Sequence, residues 1–304
     1  MDTRSEARDF LTTRRARVTP DRVGLPGGPG RRVPGLRRSE VAMLAGVSVE
    51  YYSRLERGDL GGVSDTVLEA VGGALLLDDA ERAHLADLAR AANESPVRAR
   101  TRSRSRPSGV SRSMQLALDS VVSGPAFVRN GRMDVLGENA LFRALYSDLY
   151  ALHERPVNLA RFVFLHRELS EAFYPSWSVA ADINVGIIRT EAGRDPHDEA
   201  LHELVGELST RSDEFRRRWG AHDVRHHVSG GKEFRHPVVG DLELVYEAME
   251  PMGQPGLNFL IYSAEPGSPT EERLRLLASW GASGAPTQPN ALRAPSSARG
   301  GAAE

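Results

Sequence analysis

The order of apolar and polar residues over positions 1–93 reads as all-helical. A first helix is predicted from Ser5 to Ala16 and ends before Thr19-Pro20, because the residue preceding a proline is pushed away from helical angles. A Gly/Pro-rich loop covers Gly24 to Gly35. Further helices are predicted at Arg38 to Ala45, Val49 to Arg57, Asp65 to Leu76 and Asp79 to Ala92. In the last of these, Ala83, Leu85, Leu88, Ala89 and Ala92 approximate one apolar face. Ser48, Ser64 and Asp78 stand where a side-chain oxygen caps the helix that follows.

Beyond residue 112 the pattern is mixed. Phe127 to Leu136 places Asn130-Gly131 between two short extended runs, a strong hairpin signal. Helical patterns follow at Glu138 to Leu152, Glu168 to Tyr174, Val179 to Ala192, Asp198 to Thr210 and Ser212 to His222. The period then changes to alternation at Val224 to His236, Asp241 to Ala248 and Leu257 to Ser263, and a last helix is predicted at Thr270 to Trp280. Two strands, a set of helices and three strands imply an α+β domain, an antiparallel five-stranded sheet with helices on one face. The fold class is multidomain, an all-α domain followed by this α+β domain.

Length agrees, since 304 residues suit two domains, each with its own core. Arg98 to Arg112 alternates Arg with small residues and carries too little apolar surface to fold, so it reads as a linker. Gly281 to Glu304 is Gly, Ala, Pro and Ser with hardly any large apolar residue, and reads as a disordered tail. The expected division is therefore 1–93, a linker over 94–112, a second domain over 113–281 and a tail over 282–304.

Charge separates the halves further. Residues 1–112 hold 20 Arg against 15 acidic residues, a net of +5, whereas the remainder carries −7. The first half is expected to meet a polyanion and the second to do something else. Lys232 is the only lysine. Arg suits bidentate phosphate and guanine geometry, although a GC-rich genome gives the same bias.

Several classes are excluded. No apolar run approaches the roughly 18 residues of a membrane span, and Met1 to Phe10 lacks the apolar core of a signal peptide. A cytoplasmic protein without membrane contact is expected. The absence of cysteine removes disulfides, zinc ribbons, iron–sulfur clusters and thiol chemistry. H-E-x-x-H, G-x-S-x-G and phosphate-loop patterns are absent, so no enzyme is expected. The nearest metal candidate is His222, Asp223, His226, His227 and His236. On a strand His226 and His227 point to opposite faces, so no metal is expected.

The most informative stretch is Leu36 to Gly58, LRRSEVAMLAGVSVEYYSRLERG. Two short crossing helices need a small residue where they touch, a turn residue tolerant of positive φ, and apolar residues locking the second helix to the first. Ala42, Gly46 and the trio Val47, Tyr52 and Leu55 supply these. An ordinary helical hairpin is the alternative, and the basic flanks favour DNA binding over it.

With the preceding Val33-Pro34-Gly35, this segment resembles the phage-repressor and Cro-like helix-turn-helix family, and more narrowly the MmyB-like transcriptional regulators of actinomycetes. The resemblance continues through Asn158 to Phe162, Phe173 to Trp177, Glu191 to Asp195, Trp219 to Val224 and Phe234 to Pro237, and covers nearly all of residues 5–281. One departure is Ser39, where relatives usually carry an acid. The resemblance implies a PAS-like second domain that binds a small hydrophobic ligand, a fatty acid being the known type. No other cofactor is expected.

Carried over residue by residue, the repressor pattern puts Val49, Glu50, Ser53 and Arg54 on the face that reads base edges, and Arg38, Ser48, Tyr51 and Arg57 beside phosphates. The chemistry suits double-stranded DNA. Arg54 can bridge guanine O6 and N7, Glu50 can accept from cytosine N4, and Val49 can touch a thymine methyl. A bland alternative for Glu50 is a solvated charge at a helix N-terminus.

Aromatic residues concentrate in the second domain. Each taken singly reads as core, but as a group they suit an apolar pocket, with Phe162, Tyr174, Trp177, Phe215 and Trp219 as its expected lining. Arg189 or His222 is the candidate partner for a carboxylate head group. The expected protein is a ligand-responsive regulator acting as a homodimer. A second domain that only dimerises, or a DNA-tethered enzyme, is the alternative.

Overall fold

The computed structural model describes residues 3–26, 33–94, 109–222, 229–254 and 256–284. The expected linker falls mostly outside them, as do nearly all of the expected tail and Asp223, His226 and His227 of the histidine cluster.

Among the described residues, five helices make the first domain: α1 (Thr3–Arg17), α2 (Arg38–Leu44), α3 (Val49–Glu56), α4 (Asp65–Ala74) and α5 (Asp79–Asn93), with a 3-10 turn at Pro20–Val23. They close on a core that includes Phe10, Leu11, Leu36, Val41, Tyr52, Leu55, Val71, Leu85 and Leu88. All three expected caps are present. Ser48 Oγ accepts from the Tyr51 amide at 3.0 Å and Ser64 Oγ from Val67 at 3.4 Å. Asp78 accepts from Glu81 at 2.9 Å, while the Glu81 carboxylate accepts from the Asp78 amide at 3.1 Å, a reciprocal capping box. Gly46 adopts φ +66° between α2 and α3, the left-handed turn that this crossing requires. Helix α4 is shorter than expected because Leu76 turns to φ +51°.

The second domain begins with α6 (Arg112–Ser120), β1 (Ala126–Asn130) and β2 (Val135–Glu138). Helices α7 (Ala140–Leu145), α8 (Ser147–Ala151), α9 (Leu159–Leu165), α10 (Arg167–Phe173), α11 (Trp177–Arg194), α12 (Glu199–Arg211) and α13 (Asp213–Gly220) follow. Strands β3 (Ser229–His236), β4 (Gly240–Met249) and β5 (Leu257–Ser263) and helix α14 (Pro269–Gly284) complete it. The sheet order is β2-β1-β5-β4-β3, with every pair antiparallel. Its inner face, with Phe127, Phe234, Leu242, Leu244, Leu260 and Tyr262, packs on the helical layer.

The expectation of helices on one face is corrected at β1 and β5. Leu118 of α6 packs with Ala126, Val128 and Leu257 on the opposite face, so β1 is buried along its whole length. The hairpin is also looser than a two-residue Asn-Gly turn. Asn130 Oδ1 accepts from the amides of Arg132 at 2.9 Å and Asp134 at 3.0 Å, which draws residues 131–134 into the turn. The expected helix from Glu138 to Leu152 is divided. Glu138 pairs with Phe127 in the sheet, Asn139 caps α7, and Tyr146 leaves helical angles between α7 and α8. Helix α9, capped by Asn158, was not expected.

The two domains meet along α11, which lies against α1 and α5. Arg189 donates to the Glu6 carboxylate and to the Trp219 carbonyl, and Arg14 donates to the His222 carbonyl at 2.6 Å. A Cβ on Gly193 would stand 2.7 Å from the His84 ring, so glycine is what lets α11 approach α5 this closely.

Candidate DNA-reading surface and ligand cavity

Helix α3 turns Tyr52, Leu55 and Glu56 inward and leaves Ser48, Val49, Glu50 and Arg57 exposed, with Ser53 and Arg54 half-buried. The spacing explains the grouping, since 49 and 53, and 50 and 54, lie one turn apart on one side. The four expected base-reading residues therefore share an accessible face. Met43 and Leu44 at the end of α2 are exposed beside it.

Arg54 lies over the Tyr51 ring, 4.8 Å from its centre, and 3.9 Å from Asp59. Both contacts orient its guanidinium without enclosing it. Ser48 spends a lone pair on the cap and keeps its hydroxyl proton for an outside acceptor.

Arg38, expected beside a phosphate, is held by a neighbour of its own. Its guanidinium donates to Glu56, which is buried and also receives Arg15 at 2.7 Å. The hydrogen bond and charge of Glu56 raise the Arg38 pKa. The outer edge of Arg38 remains exposed, so Glu56 fixes the cation in position.

A cavity of the second domain holds about 480 Å³, within the ~300–1,000 Å³ range of small-molecule sites. Tyr174, Ser176, Val179, Ala180 and Ile183 form its helical wall. Gly231, Lys232, Leu244 and Val245 form its strand wall, and Glu233, Glu243 and Glu265 also line it.

Of the seven residues expected at the pocket, Tyr174 lines this cavity. Phe162 is buried against Phe173 and Tyr174, and Phe215 stacks on Trp219 and meets Phe164 edge-on. Trp177 donates to Ser170 Oγ at 3.0 Å beneath Arg167 and Arg218.

Arg189 and His222 lie instead in the contact between domains. Arg189 is wholly buried, with its guanidinium 4.0 Å from the Trp219 ring centre. His222 Nδ1 lies 2.9 Å from Arg189 and 3.4 Å from Glu6. Burial alone would raise the Glu6 pKa, but the His222 hydrogen bond and the Arg189 charge outweigh it and hold the group at about 2.

The cation that sequence reasoning missed at the cavity is Lys232. Its signal was present. It alternates with Phe234 and His236 on one face of β3 and is the only lysine in an Arg-rich chain.

Among the described residues no helix is long and apolar enough to cross a membrane. No match was found among curated proteins. The family model of a helix-turn-helix domain matches residues 6–85, and that of the MmyB-like transcription regulator ligand binding domain matches residues 110–277, more than half of the chain. The chain thus belongs to the MmyB-like transcription regulators, as a DNA-binding regulator with a ligand-sensing domain.

Proposed function

We propose that the protein reads double-stranded DNA through the exposed face of α3 and adjusts that reading to a fatty acid held in the 480 Å³ cavity. The observation that carries this is α11. Val179, Ala180 and Ile183 at one end line the cavity, and Arg189 and Gly193 at the other end press on α1 and α5. Its 18 residues span about 27 Å at 1.5 Å per residue. A ligand that shifts one end of a packed helix must change the contacts at the other, because close-packed interiors transmit displacement.

In this reading the protein is a cytoplasmic homodimer without catalytic activity. Two copies would place their α3 helices in half-sites about 34–36 Å apart. Exposed Met249 on the outer sheet face supports association.

The test is a thermal-shift series with delipidated protein and saturated acids of increasing length. Each buried methylene contributes about 0.8 kcal/mol before entropic costs, so stabilisation should grow until the tail fills the cavity. By reciprocity, an acid that changes DNA affinity must have its own affinity changed by DNA to the same factor. A flat series, with no lipid extractable from the purified protein, removes the fatty acid from this reading.

The DNA half carries its own prediction. A Glu50→Ala, Arg54→Ala double variant should fold normally, since both side chains lie on the accessible face of α3, and should lose about 1–3 kcal/mol of base discrimination per contact. Site selection from random DNA measures it. Recovery of the wild-type consensus at unchanged preference would remove α3 as the reading helix.

A further inference from the structure

The only lysine of the chain occupies an unusual place. Lys232 lies on the inward face of β3, opposite Leu244 of β4. Its ammonium lies 5.2 Å from the centre of the Tyr174 ring, 5.5 Å from Phe234 and 5.7 Å from Tyr262. A long hydrogen bond of 3.4 Å reaches the Tyr262 hydroxyl. No carboxylate among the described residues forms an ion pair with it. Two other cations drawn inside this protein are paired with carboxylates, Arg189 with Glu6 and Arg14 with Glu81.

Such a cation is costly. Burial, with repulsion from Arg129, lowers the Lys232 pKa to about 7. Three aromatic faces offset part of the desolvation, but a buried charge is fully compensated only by an opposite charge with hydrogen bonds. Lys232 lines the cavity together with Val179, Ile183 and Leu244. Glu233, Glu243 and Glu265, which also line it, are exposed. Positive charge thus lies inside and negative charge toward solvent.

We propose that Lys232 is the ligand anchor: the cavity takes a carboxylate-headed amphiphile head first, with the carboxylate against the Lys232 ammonium and the tail along Val179, Ile183 and Leu244. The exposed glutamates disfavour the reverse orientation by like-charge repulsion. A compact ammonium fits between three rings and approaches a carboxylate as a point charge, which a planar guanidinium would not do in the same space. The proposal rests on the reading of this domain as the sensor of an acyl ligand.

The experiment compares decanoic acid with decan-1-ol, of equal chain length, by calorimetry on delipidated full-length protein at neutral pH. Wild type should bind the acid at least about tenfold tighter, the value of one charge-assisted hydrogen bond over a neutral one. Lys232→Met should bind acid and alcohol alike, with the alcohol no weaker than in wild type, and should melt no lower because a half-buried charge without a counter-ion has been removed. Lys232→Gln serves the same comparison if the methionine variant does not fold. Equal affinity of wild type for acid and alcohol, or an acid preference that survives in both variants, overturns Lys232 as the anchor while leaving an acyl-binding domain in place. If wild type binds neither compound, the acyl-sensor reading falls and the anchor falls with it.

Discussion

Replacement of Arg189 by alanine is expected to cost about 3–5 kcal/mol of stability, the penalty for leaving a buried carboxylate without its counter-charge. Arg189 is fully buried and Glu6 nearly so, and the pair joins two domains across 183 positions of sequence. The variant should melt in two transitions, since its domains no longer unfold as one cooperative unit. Ligand should then cease to affect DNA affinity. Adding Glu6→Ala should restore most of the stability, because neither charge is left alone, but not the coupling. A double-mutant cycle on melting and on ligand-dependent DNA binding separates the two effects. Acid should imitate the single variant. Glu6 is depressed from 4.5 to about 2, so its contribution is complete above pH 4.5 and is lost as pH falls toward 2. Unchanged ligand coupling in the Arg189 variant would remove this contact from the route between the sites.

The same pair marks where the sequence stops being legible. Arg189 in an apolar helical run stood out as a candidate for a ligand carboxylate, and it does meet a carboxylate, but one supplied by α1. No local pattern announces a partner so far away in sequence. Local chemistry was legible at several helix starts and turns: Ser48, Ser64 and Asp78 cap the helices they precede, and Gly46 makes its turn. Helix α6 was missed because Arg112–Ser120 begins in linker-like composition and places only Leu118 fully inside, against β1 and β5. Helix α9 was missed because LARFVFL is a short apolar run whose period fits strand or helix alike. The expected pocket lining is dispersed in the structure for a related reason. Aromatic content does not tell which rings fill a core, and Phe162 and Phe215 fill it. The alternation of Lys232 with Phe234 and His236 carried better information, because period two on a strand fixes which side chains face the helices.

His84 should make the docking of the domains sensitive to acid well above the range in which Glu6 titrates. It is wholly buried in α5, edge-on to Phe10 at 5.0 Å and under Gly193 of α11. Neither ring nitrogen has a hydrogen-bond partner among the described residues. Burial lowers its pKa from 6.5 to about 3, the attraction of Glu6 being insufficient to offset burial and the repulsion of Arg189, Arg14 and His222. An unfolded chain therefore takes up a proton near pH 6.5 that the folded protein refuses until about pH 3. The stability held above 6.5 declines as pH falls, by up to about 1.4 kcal/mol per pH unit from this group. Glu6 contributes little change until pH 4.5, so the interval from 6.5 to 4.5 isolates His84 from it. His202 and His236 are lowered in the same direction, which makes the difference between wild type and variant the proper measure. His84→Leu removes the proton site and two unsatisfied nitrogens. Its denaturation free energy should match or exceed that of wild type at pH 7, and its advantage should widen by about 2 kcal/mol by pH 5. Parallel stability curves for the two proteins from pH 7 to 5 would mean that His84 takes up its proton in the folded protein as readily as in the unfolded chain, and that the α5–α11 contact tolerates the charge.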